Sequence, residues 1–278
     1  MANPSLPYLP DLLMETRREY REWLENPGRL PAFMSKRMNL PEQAKETAVT
    51  EWENIKATNT ELPDMKGWQC TCGIDYMKVT DFASVNLHFK KGEGRFDINH
   101  SWICSHSKDL PRIKAPWQQW VKEGRITYID DVEIHPSIIT DYIFEMGKQY
   151  NIKMVLLDNF RFTLLSDALA KIGFRTEAGN LRLISQMDIL RIVPVIDHCF
   201  ANQYFCWGDN PVLRWSVNNT KLVPYGKKAG IDRGSFVYAK IEAKSRKNDP
   251  FMALVASMIG EGEIKEYVPL TDKTPLVL

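Results

Sequence analysis

Cys72-Gly73-Ile74-Asp75-Tyr76-Met77-Lys78-Val79-Thr80-Asp81-Phe82-Ala83-Ser84-Val85-Asn86-Leu87 is the stretch on which the fold turns. An alternating apolar run that begins at Trp68 ends in an acid, crosses a few polar positions and restarts as a second alternating run through Phe89. That pattern is a β-hairpin with Asp75 and Asp81 at its open end. A carboxylate at the end of a central strand is costly unless a cation or a polar partner offsets it. The rest of the chain is therefore read for carboxylates and cations that could meet Asp75.

Downstream, the alternation continues. Strands are expected over about 68–76, 81–90 and 95–104, with Lys91-Gly92-Glu93-Gly94 as the last turn, which makes an antiparallel meander. Arg112 to Glu123 reads as a short helix ended by Gly124, and Ile126 to Ile129 as a short strand. Ser137 to Tyr150 has helical spacing at Ile138, Ile139, Tyr142, Ile143 and Met146. Ile152 to Leu157 is apolar apart from Lys153, as in a strand buried on both faces, and ends at Asp158. A helix over Phe160 to Ile172, closed by Gly173, and a short strand over Phe174 to Thr176 are expected next. Met187 to Phe205 is the longest helical candidate, kinked or divided by Pro194. Asn210-Pro211 opens a segment through Asn219, Lys221–Val223 and Ser235–Ala243 form a hairpin, and Phe251 to Ile259 closes the sequence of elements as a helix.

Upstream, Leu12 to Leu24 and Pro41 to Ile55 read as charged, amphipathic helices, and Asn59 to Lys66 as a linker. Residues 1–66 are thus expected as a helical connector, 67–262 as the main domain and 263–278 as a peripheral tail. The class is α/β, with a mixed central sheet and flanking helices.

Composition narrows the chemistry. The chain has 278 residues, is 44% hydrophobic and carries a formal net charge of +1, an ordinary globular balance. No apolar run approaches 18 residues and the N-terminus lacks the layout of a signal peptide, so a cytoplasmic, membrane-free protein is expected. Its five cysteines (Cys70, Cys72, Cys104, Cys199, Cys206) include no CxxC pair and read as buried thiols. The five histidines show no ligand spacing, and neither a P-loop nor a G-x-S-x-G elbow is present. From Lys221 to Lys247 the basic residues Lys221, Lys227, Lys228, Arg233, Lys240, Lys244, Arg246 and Lys247 face only Asp232 and Glu242. Such a stripe is what phosphate binding needs, although a solvated hairpin would look the same.

Three acids stand at element ends: Asp75, Asp158 and Asp249. If the strands ending at Asp75 and Asp158 are parallel neighbours, both acids emerge at one sheet edge, where sites form in α/β folds. A helix across that edge could bring Asp249. Three such carboxylates call for divalent cations, and oxygen ligands favour Mg²⁺ or Mn²⁺ over zinc. Two ions about 3.5–4 Å apart would serve phosphodiester hydrolysis. Each acid has a structural reading too: Asp249 before Pro250 as a helix cap, Asp158 as another cap, Asp75 and Asp81 as turn residues.

Four pieces in one order carry a resemblance: Cys72-Gly73-Ile74-Asp75 with Asp81, then Val155-Leu156-Leu157-Asp158 before a helix ending at Gly173, then Asn210-Pro211-Val212-Leu213-Arg214-Trp215 with Asn218, then Lys247-Asn248-Asp249-Pro250-Phe251-Met252-Ala253-Leu254. From about residue 30 to 260 the chain resembles the nuclease half of the large terminase subunit of tailed bacteriophages. Asn248 departs from the pattern, standing where many relatives have an apolar residue. The resemblance implies an RNase H-like fold, two Mg²⁺ or Mn²⁺ ions on Asp75, Asp158 and Asp249 with Asp81 nearby, and cutting of concatemeric viral DNA in the host cytoplasm. It also implies the basic hairpin as the DNA-facing region. Its implied partners are double-stranded DNA, the portal protein, the small terminase subunit and an ATPase motor domain that this chain lacks. The alternatives are a non-catalytic module docking DNA or portal, and another RNase H-like enzyme such as a transposase or resolvase.

Overall fold

A computed structural model describes residues 10–25, 47–225 and 236–265. The stretch from Cys72 to Leu87 forms the expected hairpin. Strand β1 (Gln69–Asp75) pairs antiparallel with β2 (Ala83–Lys91), and β2 with β3 (Gly94–Cys104). Strand β4 (Ile126–Ile129) runs parallel to β3, and β5 (Asn151–Asp158) runs parallel to β1. Strand β6 (Leu181–Ile184) extends the sheet beyond β5, and the two-residue β7 (Phe205–Cys206) pairs with the start of β3. The order is β4-β3-β2-β1-β5-β6, a mixed sheet as expected. A separate hairpin joins β8 (Thr220–Pro224) and β9 (Phe236–Lys240).

Along the described chain the helices are α1 (Pro10–Glu25), α2 (Trp52–Ala57), α3 (Trp117–Lys122), α4 (Pro136–Gly147), α5 (Asn159–Lys171), α6 (Gln186–Ala201), α7 (Pro211–Asn218) and α8 (Asp249–Ile259). Side chains of a strand alternate between the faces of a sheet, so β1 divides its residues. Cys70, Cys72 and Ile74 enter one core with Ile139 and Ile143 of α4 and Leu165 and Leu169 of α5. Thr71 and Gly73 face the other way, towards α8, whose Phe251, Leu254, Val255 and Met258 form a second core with Ile196 and Phe200 of α6 and Leu213 of α7. All five cysteines are buried free thiols.

Several expectations change. Residues 174–176 are not a strand; the chain turns there, with Gly179 at φ +71° and the Asn180 side chain bonding Arg175 N and Gly173 O, and the strand comes later as β6. The helix expected over Met187–Phe205 stops at Ala201 but runs unbroken through Pro194, which faces solvent, where water can satisfy the carbonyl that proline leaves without a donor. Only Val155, Leu156 and Leu157 of β5 are buried, while Ile152 in its first half is partly buried against the same core. Of the helix expected over Pro41 to Ile55, residues 47–51 are not helical and Trp52–Ala57 forms α2, while residues 26–46 lie outside the described residues. So do 226–235, with Lys227, Lys228 and Arg233, and most of the expected tail, 266–278.

A polar layer fastens the C-terminal end of α8 to the sheet. Asn86 donates to Asp97 and to Ser257 Oγ, both at 2.9 Å, and Trp207 Nε1 donates to Asp97 at 3.0 Å. His88 lies between Asp97 (2.9 Å) and Glu261 (3.2 Å), and Arg95 binds Glu261 through two nitrogens at 2.8 and 2.9 Å. Burial opposes a charge on His88, but the two carboxylates outweigh it and raise its pKa to about 9. A histidine pKa raised on folding stabilises the protein fully below its ordinary value of 6.5, and that contribution disappears as pH climbs through 9. Unfolding free energy is expected to fall by about 3 kcal/mol across that window. Urea unfolding from pH 6 to 9.5 measures it, with His88→Gln flattening the slope.

Candidate active site

The register Ile74↔Leu157 sets Asp75 beside Asp158 at the ends of two parallel strands. Asp75 is half-buried and lies on the α8 face of β1, since Thr71 and Gly73 lie on that face. Asp158 also caps α5: its Oδ1 accepts from Arg161 N at 2.8 Å, so the capping reading holds for this residue alongside any other role. Its side chain is 45% exposed, on the open side of the site.

Asp249 arrives from across the sheet. It is the first helical residue of α8 rather than its cap, and Asn248, in the cap position, makes no side-chain capping bond. Helix α8 lies directly on β1 because residue 73 has no side chain: a Cβ there would stand 2.0 Å from Ala253 O. Asn99 donates to Pro250 O at 3.1 Å and Asn219 to Lys247 O at 2.8 Å, fixing the backbone on either side of Asp249. The departure at Asn248 does not loosen the docking, for Asn248, Asp249 and Pro250 are all buried.

Two lysines from the basic region turn inward and link Asp249, Asp81 and Asp109 into a chain. Lys240 Nζ donates to Asp249 at 3.0 Å and to Asp81 at 2.8 Å. Lys247 Nζ donates to Asp81 at 2.5 Å, to Asp109 at 2.6 Å and to Ala243 O at 2.9 Å. Lys247 is 1% exposed, so its charge does not reach solvent as expected, and Lys240 compensates carboxylates rather than lining the surface. Lys221, Lys244 and Arg246 are the stripe residues among the described ones that keep solvent access.

The electrostatics record an excess of negative charge. Burial raises the Asp75 pKa and the neighbouring charge of Asp249 adds to it, against opposition from Lys240 and Arg161. Burial also raises Asp249, with Lys240 opposing. Burial works on Asp81 in the same sense, but the two lysines outweigh it and hold its pKa below the ordinary value. Lys240 itself is pushed up: burial opposes its charge, and Asp249 and Asp81 more than restore it.

The donors at this end of the sheet are hard oxygens, the chemistry that a divalent cation such as Mg²⁺ prefers. Asp249 Oδ2 and Asn248 Oδ1 are buried without a hydrogen-bond partner, and an oxygen left bare in the interior is satisfied well by a cation. The described acids share one end of the sheet without converging on a point: no three His, Cys, Asp or Glu among the described residues stand close enough to hold an ion. Lys240 supplies the positive charge at Asp249 in this arrangement.

Sequence reasoning missed three contributors. Asp109 carries no local signal at all. The inward turn of Lys240 and Lys247 is invisible in a basic stripe, where every lysine reads as solvated. Arg161 could have been found, because an arginine three residues after an N-capping aspartate returns over the helix end.

The chain is similar to the large terminase of bacteriophage HK97, with 17% identity over 87% of this chain and 49% of that one and a TM-score of 0.64. It is also similar to the large terminase nuclease of thermophilic phage G20c, with 8% identity, 76% and 97% coverage and a TM-score of 0.48. No curated protein sequence matches significantly. The chain spans about half the length of the HK97 protein, whose likeness shows the fold. No described helix is long and apolar enough to cross a membrane. The sequence model of the family described as "Terminase large subunit, endonuclease domain" matches residues 1–258, and the chain belongs to that family.

Proposed function

We propose that the chain is a divalent-metal-dependent DNA endonuclease that cuts concatemeric viral DNA during genome packaging. The observation that carries the reading is the placement of Asp75 beside Asp158, with Asp249 brought over them by α8 and one of its oxygens left bare. Asp75, Asp158 and Asp249 would hold two Mg²⁺ or Mn²⁺ ions, with Asp81 close by, and such ions supply a nucleophilic water at neutral pH and charge for the departing oxygen. Hydrolysis joins the oxygen of water to phosphorus and breaks one P–O bond. The leaving sugar oxygen keeps the electron pair and takes a proton, while the attacking water gives one up.

The chain's own residues prepare that event. Lys240 holds Asp249 and Asp81 in place, and Lys247 anchors Asp81 to Asp109. Asp158, on the open side, meets the substrate first. Lys221, Lys244 and Arg246, with Lys227, Lys228 and Arg233, take DNA phosphates, which gives little sequence preference and a steep dependence on salt. The small terminase subunit, the portal protein and an ATPase motor domain are the further partners, and the host cytoplasm the place of action. Residues 1–66 serve as the connector and 67–262 as the nuclease domain.

A second reading, a DNA- or portal-docking module without catalysis, draws on the ammonium of Lys240 standing at Asp249. One assay separates the two. Supercoiled plasmid incubated with the purified chain is expected to be nicked with Mn²⁺ or Mg²⁺ and left intact in EDTA. DNA binding without nicking under any divalent ion would overturn the endonuclease reading in favour of docking.

A further inference from the structure

Arg161 stands at the open side of the same site, loosely paired with Asp158 and with few of its side-chain hydrogen bonds made among the described residues. Its Nε is buried and has no partner. The nearest carboxylate oxygen, Asp158 Oδ2, is 3.8 Å away, beyond hydrogen-bond range, and the facing Oδ1 is engaged by Arg161's own backbone N–H. Nη1 touches only the Met77 sulfur, a weak acceptor, at 3.5 Å. A guanidinium carries five donors, so this one keeps most of its capacity free while its side chain is only 16% exposed.

The group is nevertheless held in place. The Phe160 ring centroid lies 5.0 Å from its central carbon, a cation–π contact that favours this placement of the fork. Phe160 is 77% exposed, an unusual position for a phenylalanine, and its ring lies against the guanidinium. Arg161 is also close enough to Asp75 for its charge to act on that carboxylate. A planar cation with free parallel N–H groups matches two oxygens of a phosphate, where a lysine offers a single point of charge.

We propose that Arg161 is a catalytic residue that binds the non-bridging oxygens of the scissile phosphate and stabilises the charge that builds there during hydrolysis. The proposal rests on the endonuclease reading and adds to it a group of opposite charge to the acids. With Asp75, Asp158 and Asp249 committed to cations, Arg161 is a cation beside them with donors left for substrate. It accounts for the outer donors of the fork that no described oxygen takes and for the exposed Phe160 beside them.

The test compares plasmid nicking in Mn²⁺ by the wild type, Arg161→Gln, Arg161→Lys and Asp75→Asn, with urea unfolding of each. Arg161→Gln is expected to lower kcat roughly 10²-fold with little change in KM for plasmid or in the Mn²⁺ concentration needed. Arg161→Lys should recover part of that loss, since it restores charge without the fork. If Arg161→Gln keeps kcat within about threefold of wild type while Asp75→Asn is inactive, the arginine proposal fails and the endonuclease reading stands. A loss that only tracks the unfolded fraction overturns it equally. A wild-type chain that never nicks DNA defeats both.

Discussion

Replacing Asp75 by Asn is expected to lower nicking by about 10³-fold or more while leaving the metal-free protein at least as stable as wild type. Asp75 is set among carboxylates at the edge of a buried sheet, where burial first and the charge of Asp249 second make its ionised form costly. Asparagine keeps the shape and removes the charge, so the fold is relieved of a repulsion that a bound cation would otherwise offset. The two effects point in opposite directions, which separates a role in chemistry from a role in folding. Urea midpoints in EDTA should stay level or rise in the variant. With Mn²⁺ present the wild type should gain stability by mass action and Asp75→Asn should gain less. A variant that nicks at more than about a tenth of the wild-type rate would remove Asp75 from the catalytic set.

The part of this arrangement that follows from chain-local physics was legible in the sequence. Alternation from Trp68 through Phe89 specifies the hairpin, and the apolar run before Asp158 specifies a strand entering the core. A helical crossover between them favours a parallel pair, and the parallel pairing of β1 with β5 puts Asp75 and Asp158 at one edge. What was not legible depends on direction rather than period. Whether a lysine on an edge hairpin points out or in is decided by which acids lie across the gap, and those come from residues 81, 109 and 249. Strand β6 was displaced because the turn at 173–180 is held by Asn180 side-chain bonds, which no hydrophobic pattern encodes. Pro194 does not divide its helix, because on a solvent-facing turn water can take the carbonyl that proline leaves without a donor.

Gly73→Ala is expected to be the most damaging single change in stability and to reduce nicking with the acids all intact. An added Cβ would lie 2.0 Å from Ala253 O and 2.4 Å from Ser257 N, and both atoms belong to the backbone of α8. Side chains can rotate away from such a contact, but a helix can only move as a body. Helix α8 buries Phe251, Leu254, Val255 and Met258, and carries Asp249 at its first turn and Ser257 in the polar layer at the other end. Moving it loosens packing along its whole length, and a destabilisation of about 3 kcal/mol, the upper range for overpacking, is the expected size. The same displacement takes Asp249 away from Asp75, so nicking should fall beyond what the unfolded fraction explains. Gly147→Ala is the control, because a Cβ there meets nothing within 4 Å. It lies at the end of α4, where alanine favours helix over glycine by about 1 kcal/mol at most, so its unfolding midpoint should hold or rise. Equal midpoints for Gly73→Ala and wild type would mean that α8 does not rest on β1, and the route by which Asp249 reaches the site would have to be another one.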